Sequence, residues 1–190
     1  MTAMALPELL AVLLAIAYLL LAIRQNIYCW LAAATSAAIY LFLMYQAGLY
    51  MESALQLFYI AMAGYGWVQW RQGAAGRNEL QINSWPPVFN LLPIATILCL
   101  TLISGALLDS TTEAAFPYLD SFTTWGALVA TWMVARKILQ NWHYWFVIDS
   151  VSVYLFISRE LWLTACLFVA YLILIVVGYR TWRRDWIRRL

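Results

Sequence analysis

Seven apolar stretches divide this chain almost without remainder, and they restrict what it can fold into. They run over 7–23, 27–45, 51–70, 88–108, 121–138, 142–157 and 161–179. A helix needs about 20 mostly apolar residues to cross the hydrocarbon core of a bilayer. In a chain of 190 residues, that leaves short connections and no room for a separate soluble domain. Hydrophobic residues make up 65% and charged residues 11%, which excludes an ordinary globular domain. In lipid, every backbone N–H and C=O of a helical span must be bonded within that span. The expected fold class is an all-α polytopic membrane protein with seven transmembrane helices.

Turn and breaker residues separate the stretches: Arg24-Gln25-Asn26, Gln46-Ala47-Gly48, the segments 72–87 and 109–120, and Ser158-Arg159-Glu160. Pro93 falls in the first turns of the fourth stretch, where proline is tolerated. The first stretch follows no basic region and no small-residue cleavage site, so it is expected to be a retained helix. Orientation follows from the basic residues. With the N-terminus outside, seven spans put every lysine and arginine except Arg159 on the cytoplasmic side, and the loop with Asp109, Glu113 and Asp120 outside. The basic run over 180–189 reads as an anchor to anionic lipid rather than a nucleic-acid surface.

The chemistry-bearing residues are few. Cys29, Cys99 and Cys166 are an odd count without CxxC spacing, which gives neither a disulfide framework nor a zinc site. His143 is the only histidine and has no ligand set around it. HExxH, GxSxG and Walker A patterns are all missing, so no catalytic residues, no metal, no cofactor and no ATP hydrolysis are expected.

What an apolar helix does not require is the sequence QNWHYWFVIDS over 140–150. At roughly 100° per residue, Asn141, Trp145, Asp149 and Ser152 climb one side of a helix, with Trp142 at its border. An amide, a carboxylate and indole faces together suit a flat, polar, cationic solute. The competing reading is that Asn141 and Asp149 only bond to neighbouring helices. A matching stripe on the third stretch favours the functional one: Glu52, Gln56, Tyr59, Ala63 and Trp70 share a narrow arc, with Trp67 at its edge. Such a stripe is costly against lipid and should face the bundle interior. Tyr40 adds a candidate from the second stretch, whose alanines otherwise read as close helix packing. The candidate substrate-binding set is therefore Asn141, Trp142, Trp145, Asp149, Gln56, Tyr59, Tyr40 and Trp67. Trp85, Trp182 and Trp186 are assigned instead to an interfacial aromatic belt.

The chain also repeats. Gln25-Asn26 and Trp30 recur 115 residues later as Gln140-Asn141 and Trp145. Tyr40-Leu41-Phe42 and Gly64-Tyr65 recur 114 residues later, as Tyr154-Leu155-Phe156 and Gly178-Tyr179. Three spans plus one linking span return the second triplet to the orientation of the first, a SWEET-like 3+1+3 parallel repeat. The expected single membrane domain over 1–190 then comprises a first triplet over 1–71, a linker with helix 4 over 72–119, a second triplet over 120–183 and a basic tail over 184–190.

Taken together, Gly66-Trp67-Val68-Gln69-Trp70, Leu119-Asp120-Ser121-Phe122-Thr123-Thr124, Ala135-Arg136-Lys137 and Asn141-Trp142-x-x-Trp145-x-x-x-Asp149 resemble the PnuC family of vitamin transporters. The likeness covers essentially the whole chain, from Leu10 to Trp182. It implies the SWEET-like fold, a place in the bacterial inner (cytoplasmic) membrane, and facilitated uptake of nicotinamide riboside, trapped afterwards by a cytoplasmic kinase. It also implies a homo-oligomer, a trimer, and assigns Trp142, Trp145, Asn141 and Asp149 to the substrate region, faced by Gln56 and Tyr59. Related branches move thiamin or riboflavin instead. Two further readings compete: an intramembrane enzyme and a non-transporting membrane subunit. The enzyme would need Asp149 and His143 as an acid–base pair, yet six residues on a helix set them roughly 240° apart.

Overall fold

The computed structural model describes residues 2–46, 50–74, 80–112, 115–158 and 160–189. Seven α-helices form among them: α1 (Thr2–Ile23), α2 (Cys29–Gln46), α3 (Tyr50–Ala74), α4 (Leu91–Thr111), α5 (Pro117–Ala135), α6 (Asn141–Ser158) and α7 (Trp162–Ile187). A 3-10 turn, Pro87–Asn90, leads into α4. Among the described residues, four helices are long and apolar enough to cross a membrane, over Leu6–Ile23, Cys29–Gln46, Pro87–Thr111 and Thr164–Ile187. The chain is thus an all-α polytopic membrane protein. Of the remaining three, α3 and α6 carry the polar stripes, and that polarity lowers their hydropathy.

Several helix ends run beyond the sequence expectation, α1 starting at Thr2 and α3 ending at Ala74, and the ends of α5 and α7 show why. Helix α5 starts at Pro117, earlier than 121, with proline at its first turn and Asp120 close behind it. Proline costs nothing there, because the first N–H groups of a helix have no intrahelical acceptor. Helix α7 continues to Ile187 instead of stopping near 179, so Arg180, Arg183 and Arg184 belong to its last turns. Cations are favoured at that end of a helix by its dipole.

The chain divides into two compact units, Met1–Gln81 and Ile82–Leu190. In the first, α2 packs against both α1 and α3. The buried Ser36 hydroxyl donates to the Ala11 carbonyl at 2.8 Å, tying α2 to α1. Ser53 on α3 donates to the Leu41 carbonyl at 3.1 Å. Trp30, 2% exposed, lies edge-on to Trp70 at 5.5 Å and 84°, and its indole presses on Gly66.

In the second unit, α5 packs on α4 and α6, and α6 on α7. Here Trp142 meets Trp182 at 5.4 Å and 89°, and its indole presses on Gly178. Trp125 donates its Nε1–H to Ser104 at 3.0 Å, and the ring of Tyr118 covers Gly105. The segment before α4 is pinned to the α5–α6 turn. Asn83 donates its N–H to the Lys137 carbonyl at 3.0 Å and accepts from the Leu139 N–H at 2.8 Å. Gln140 extends this pairing with its side chain, accepting from the Trp85 N–H at 3.0 Å and donating to Ser84 Oγ and the Trp85 carbonyl at 2.9 Å each. Gln140→Ala is expected to cost about 1–3 kcal/mol, since it leaves part-buried backbone groups without partners. Hydrogen exchange at the Asn83 and Trp85 amides should accelerate, while that of α7 stays unchanged.

Local geometry corrects the register of the repeat. The α1–α2 turn has Gln25 at φ 54 and the α5–α6 turn has Lys137 at φ 50. Each is a Schellman turn. Gln25 N–H donates to the Ala22 carbonyl and Asn26 N–H to Leu21, while Lys137 N–H donates to Val134 and Ile138 N–H to Met133. These bonds, and the pairs Trp30 and Trp142, Gly66 and Gly178, Trp70 and Trp182, all lie 112 residues apart, not 114 or 115. In that register the counterpart of Trp30 is Trp142, and Trp145 aligns with Ala33. Trp145 thus lies one helical turn beyond the position that matches Trp30 in its packing.

Candidate substrate site

Helix α6 presents the densest polar surface inside the second unit. Asn141 is completely buried where α6 begins. Its Nδ2 donates to the Ile138 carbonyl at 2.6 Å, while Oδ1 meets no donor among the described residues. Two turns on, Asp149 is 5% exposed, and no described residue bonds to its carboxylate. Ser152 is 7% exposed and donates to the Ile148 carbonyl at 3.0 Å, which leaves its oxygen lone pairs available. Buried polar atoms without partners are uncommon, and each costs about 1–3 kcal/mol when nothing satisfies it.

The two tryptophans of the W-x-x-W pair differ in their surroundings. Trp142 is 2% exposed and committed to packing, wedged between Gly178 and the edge of Trp182. Its indole N–H has no acceptor among the described residues, and neither does that of its counterpart Trp30. Trp145 is half-buried, and its ring meets no other aromatic ring among the described residues. It is the indole of the pair with a face to offer.

In the first unit, α3 carries Gln56 and Tyr59, both half-buried, with Tyr59 edge-on to Phe58 at 5.8 Å. Ala63 and Trp70 on the same arc are buried. Trp67 is half-buried and edge-on to Tyr28 at 6.0 Å. Tyr40 is half-buried on α2. The side chain of Glu52 lies outside the described residues. His143 and Asp149 share no hydrogen bond, and the His143 ring packs against Tyr179 at 4.7 Å. No cluster of three or more histidine, cysteine, aspartate or glutamate side chains occurs among the described residues.

Sequence reasoning missed the wedge that holds each helix pair together, Trp30 in Gly66 and Trp142 in Gly178. Its signal was present as Gly-x-x-x-Trp at 66–70 and again at 178–182. A small residue one turn before an aromatic one is where a ring from a neighbouring helix can enter.

A membrane helical bundle with buried, unbonded polar groups on one helix face and no clustered metal ligands among the described residues has the features of a solute carrier. The family model described as "Nicotinamide mononucleotide transporter" matches residues 5–184, and the chain belongs to that family. It is 26% identical over 165 residues to the nicotinamide riboside transporter PnuC of Escherichia coli (strain K12), covering 74% of this chain and 69% of that protein. It is also 26% identical over 177 residues to the riboflavin/roseoflavin transporter RibM of Streptomyces davaonensis, covering 88% of this chain and 81% of that one. The crystal structure of the vitamin B3 transporter PnuC matches its fold with a TM-score of 0.75 at 21% identity, over 97% of this chain and 83% of that chain.

Proposed function

We propose that this protein carries nicotinamide riboside across the membrane by facilitated diffusion, with a cytoplasmic kinase trapping the solute afterwards. The observation that carries the proposal is the stripe on α6: the unbonded Oδ1 of Asn141, the unpaired carboxylate of Asp149 and the half-buried indole of Trp145, which no other aromatic ring among the described residues stacks on. A pyridinium ring carries positive charge on a flat face, so an indole attracts it and a carboxylate compensates it. Ribose hydroxyls supply donors that Asn141 can accept; in the first unit Gln56, Tyr59, Tyr40 and Trp67 are proposed as substrate-binding residues in their own right. In the second unit Trp142 borders the α6 stripe.

Seven spans in a 3+1+3 arrangement of parallel repeats, as the family resemblance implies, belong to the same proposal. The 112-residue register of turns and wedges supports a repeat. Concentration of the basic residues supports an N-terminus outside and a C-terminus in the cytoplasm. A trimeric assembly is carried over from the family resemblance.

A second reading, riboflavin, is favoured by the RibM relative, which aligns with the larger share of the chain. Charge separates the two, because riboflavin is neutral. Asp149→Asn is expected to weaken nicotinamide riboside binding about tenfold and to leave riboflavin binding within about twofold. Titrating purified protein and variant with nicotinamide riboside, thiamin and riboflavin tests this directly. Tight binding of riboflavin alone, indifferent to Asp149, would replace the first reading by the second.

A further inference from the structure

We propose that a groove between α4, α5 and α6 holds one acyl chain of an anionic phospholipid, with its headgroup seated on Arg183 of α7. The groove has a volume of about 290 Å³ and lies wholly within the second unit, on the side of α6 that carries His143 and Val147 rather than the Asn141 stripe. Ile94 and Leu98 of α4, Phe122 and Gly126 of α5 and Val147 of α6 line it. Three of these are open to the outside of the chain, Ile94 at 44%, Leu98 at 50% and Val147 at 50% exposure. Gly126 lets Ile148 pack close against α5, since a Cβ there would meet Ile148 Cγ1 at 2.9 Å.

The mouth of the groove determines the headgroup. His143 lines the groove and packs on Tyr179 at 4.7 Å. Arg183 follows Tyr179 by four residues on α7, so it stands one turn further out on the same face. Arg180, Arg183 and Arg184 are all exposed at this end. Tyr144, also lining the groove, is tethered by its hydroxyl to Asn90 at 3.4 Å, which steadies the rim. Apolar depth topped by exposed cations complements an acyl chain with an anionic head.

Native mass spectrometry and thermal unfolding of the detergent-purified full chain, with dioleoyl phosphatidylglycerol or dioleoyl phosphatidylcholine added, test the proposal. Phosphatidylglycerol should be retained at one per chain and raise the unfolding temperature, with at least about fivefold tighter retention than phosphatidylcholine. Arg183→Gln should bring the two lipids level, and Arg183→Lys should restore most of the difference. Val147→Trp should fill the groove and abolish retention of both, and Leu98→Trp does the same from α4 if the first variant does not fold. Equal retention of the two lipids by the native chain would overturn the proposal. So would wild-type retention in the groove-filled variants, or copy-to-copy crosslinking through Val147→Cys in membranes, which would place a second protein chain there.

Discussion

Trp145→Ala is expected to weaken nicotinamide riboside binding by about 1–3 kcal/mol, the range measured for an aromatic side chain that stacks a base. That corresponds to a loss of roughly five- to 150-fold in affinity. The expectation rests on the surroundings of the ring: Trp145 is half-buried and stacks on no other aromatic ring among the described residues. The variant should fold, because little depends on that indole, and Trp145→Phe should retain part of the affinity. Calorimetric titration of folded variants measures both. Trp142→Ala provides the contrast. Its ring is 2% exposed and fills the space beside Gly178, so its removal should lower stability first and affinity only as a consequence. Unchanged affinity in folded Trp145→Ala would remove that residue from the site.

Gly178→Ala should destabilise the α6–α7 pair by about 1–3 kcal/mol, the usual cost of overpacking a filled interior. A Cβ at 178 would run into the Trp142 ring, which is itself held edge-on by Trp182. The ring therefore has no direction in which to retreat. Gly66→Ala meets the same obstacle in Trp30, backed by Trp70. Gly64 is the control: it lies in the same helix, with open space where its Cβ would be, so Gly64→Ala should be neutral or slightly stabilising. Combining Gly178→Ala with Trp142→Phe should recover part of the loss, and a double-mutant cycle on unfolding temperature would show the coupling. Simple additivity would mean that ring and glycine do not meet.

The apolar stretches revealed the helices because a bilayer imposes length and composition together. They missed the final turns of α7, where arginines begin, since hydropathy falls there although the backbone stays helical. On α6, Asn141, Asp149 and Trp145 were legible, because 3.6-residue periodicity aligns them and lipid would penalise them. Trp142 was not separable from Trp145 by that reasoning. Which of the two indoles is packed depends on Gly178 and Trp182, one helix away and nearly 40 residues later in the chain. The 112-residue spacing of the matching turns and wedges was not legible, for a related reason. Aromatic identities are common in membrane sequence, whereas the features fixing the 112-residue spacing are two left-handed turn residues, Gln25 and Lys137, which share neither size nor charge.

Flux through the isolated protein tests the account most directly. Liposomes containing only this chain, given labelled nicotinamide riboside outside, should fill to the external concentration faster than empty ones, without ATP or an ion gradient, and Trp145→Ala should slow the filling. Entry no faster than into protein-free liposomes, or accumulation above the external concentration only when an ion gradient is imposed, would contradict passive carriage of this solute.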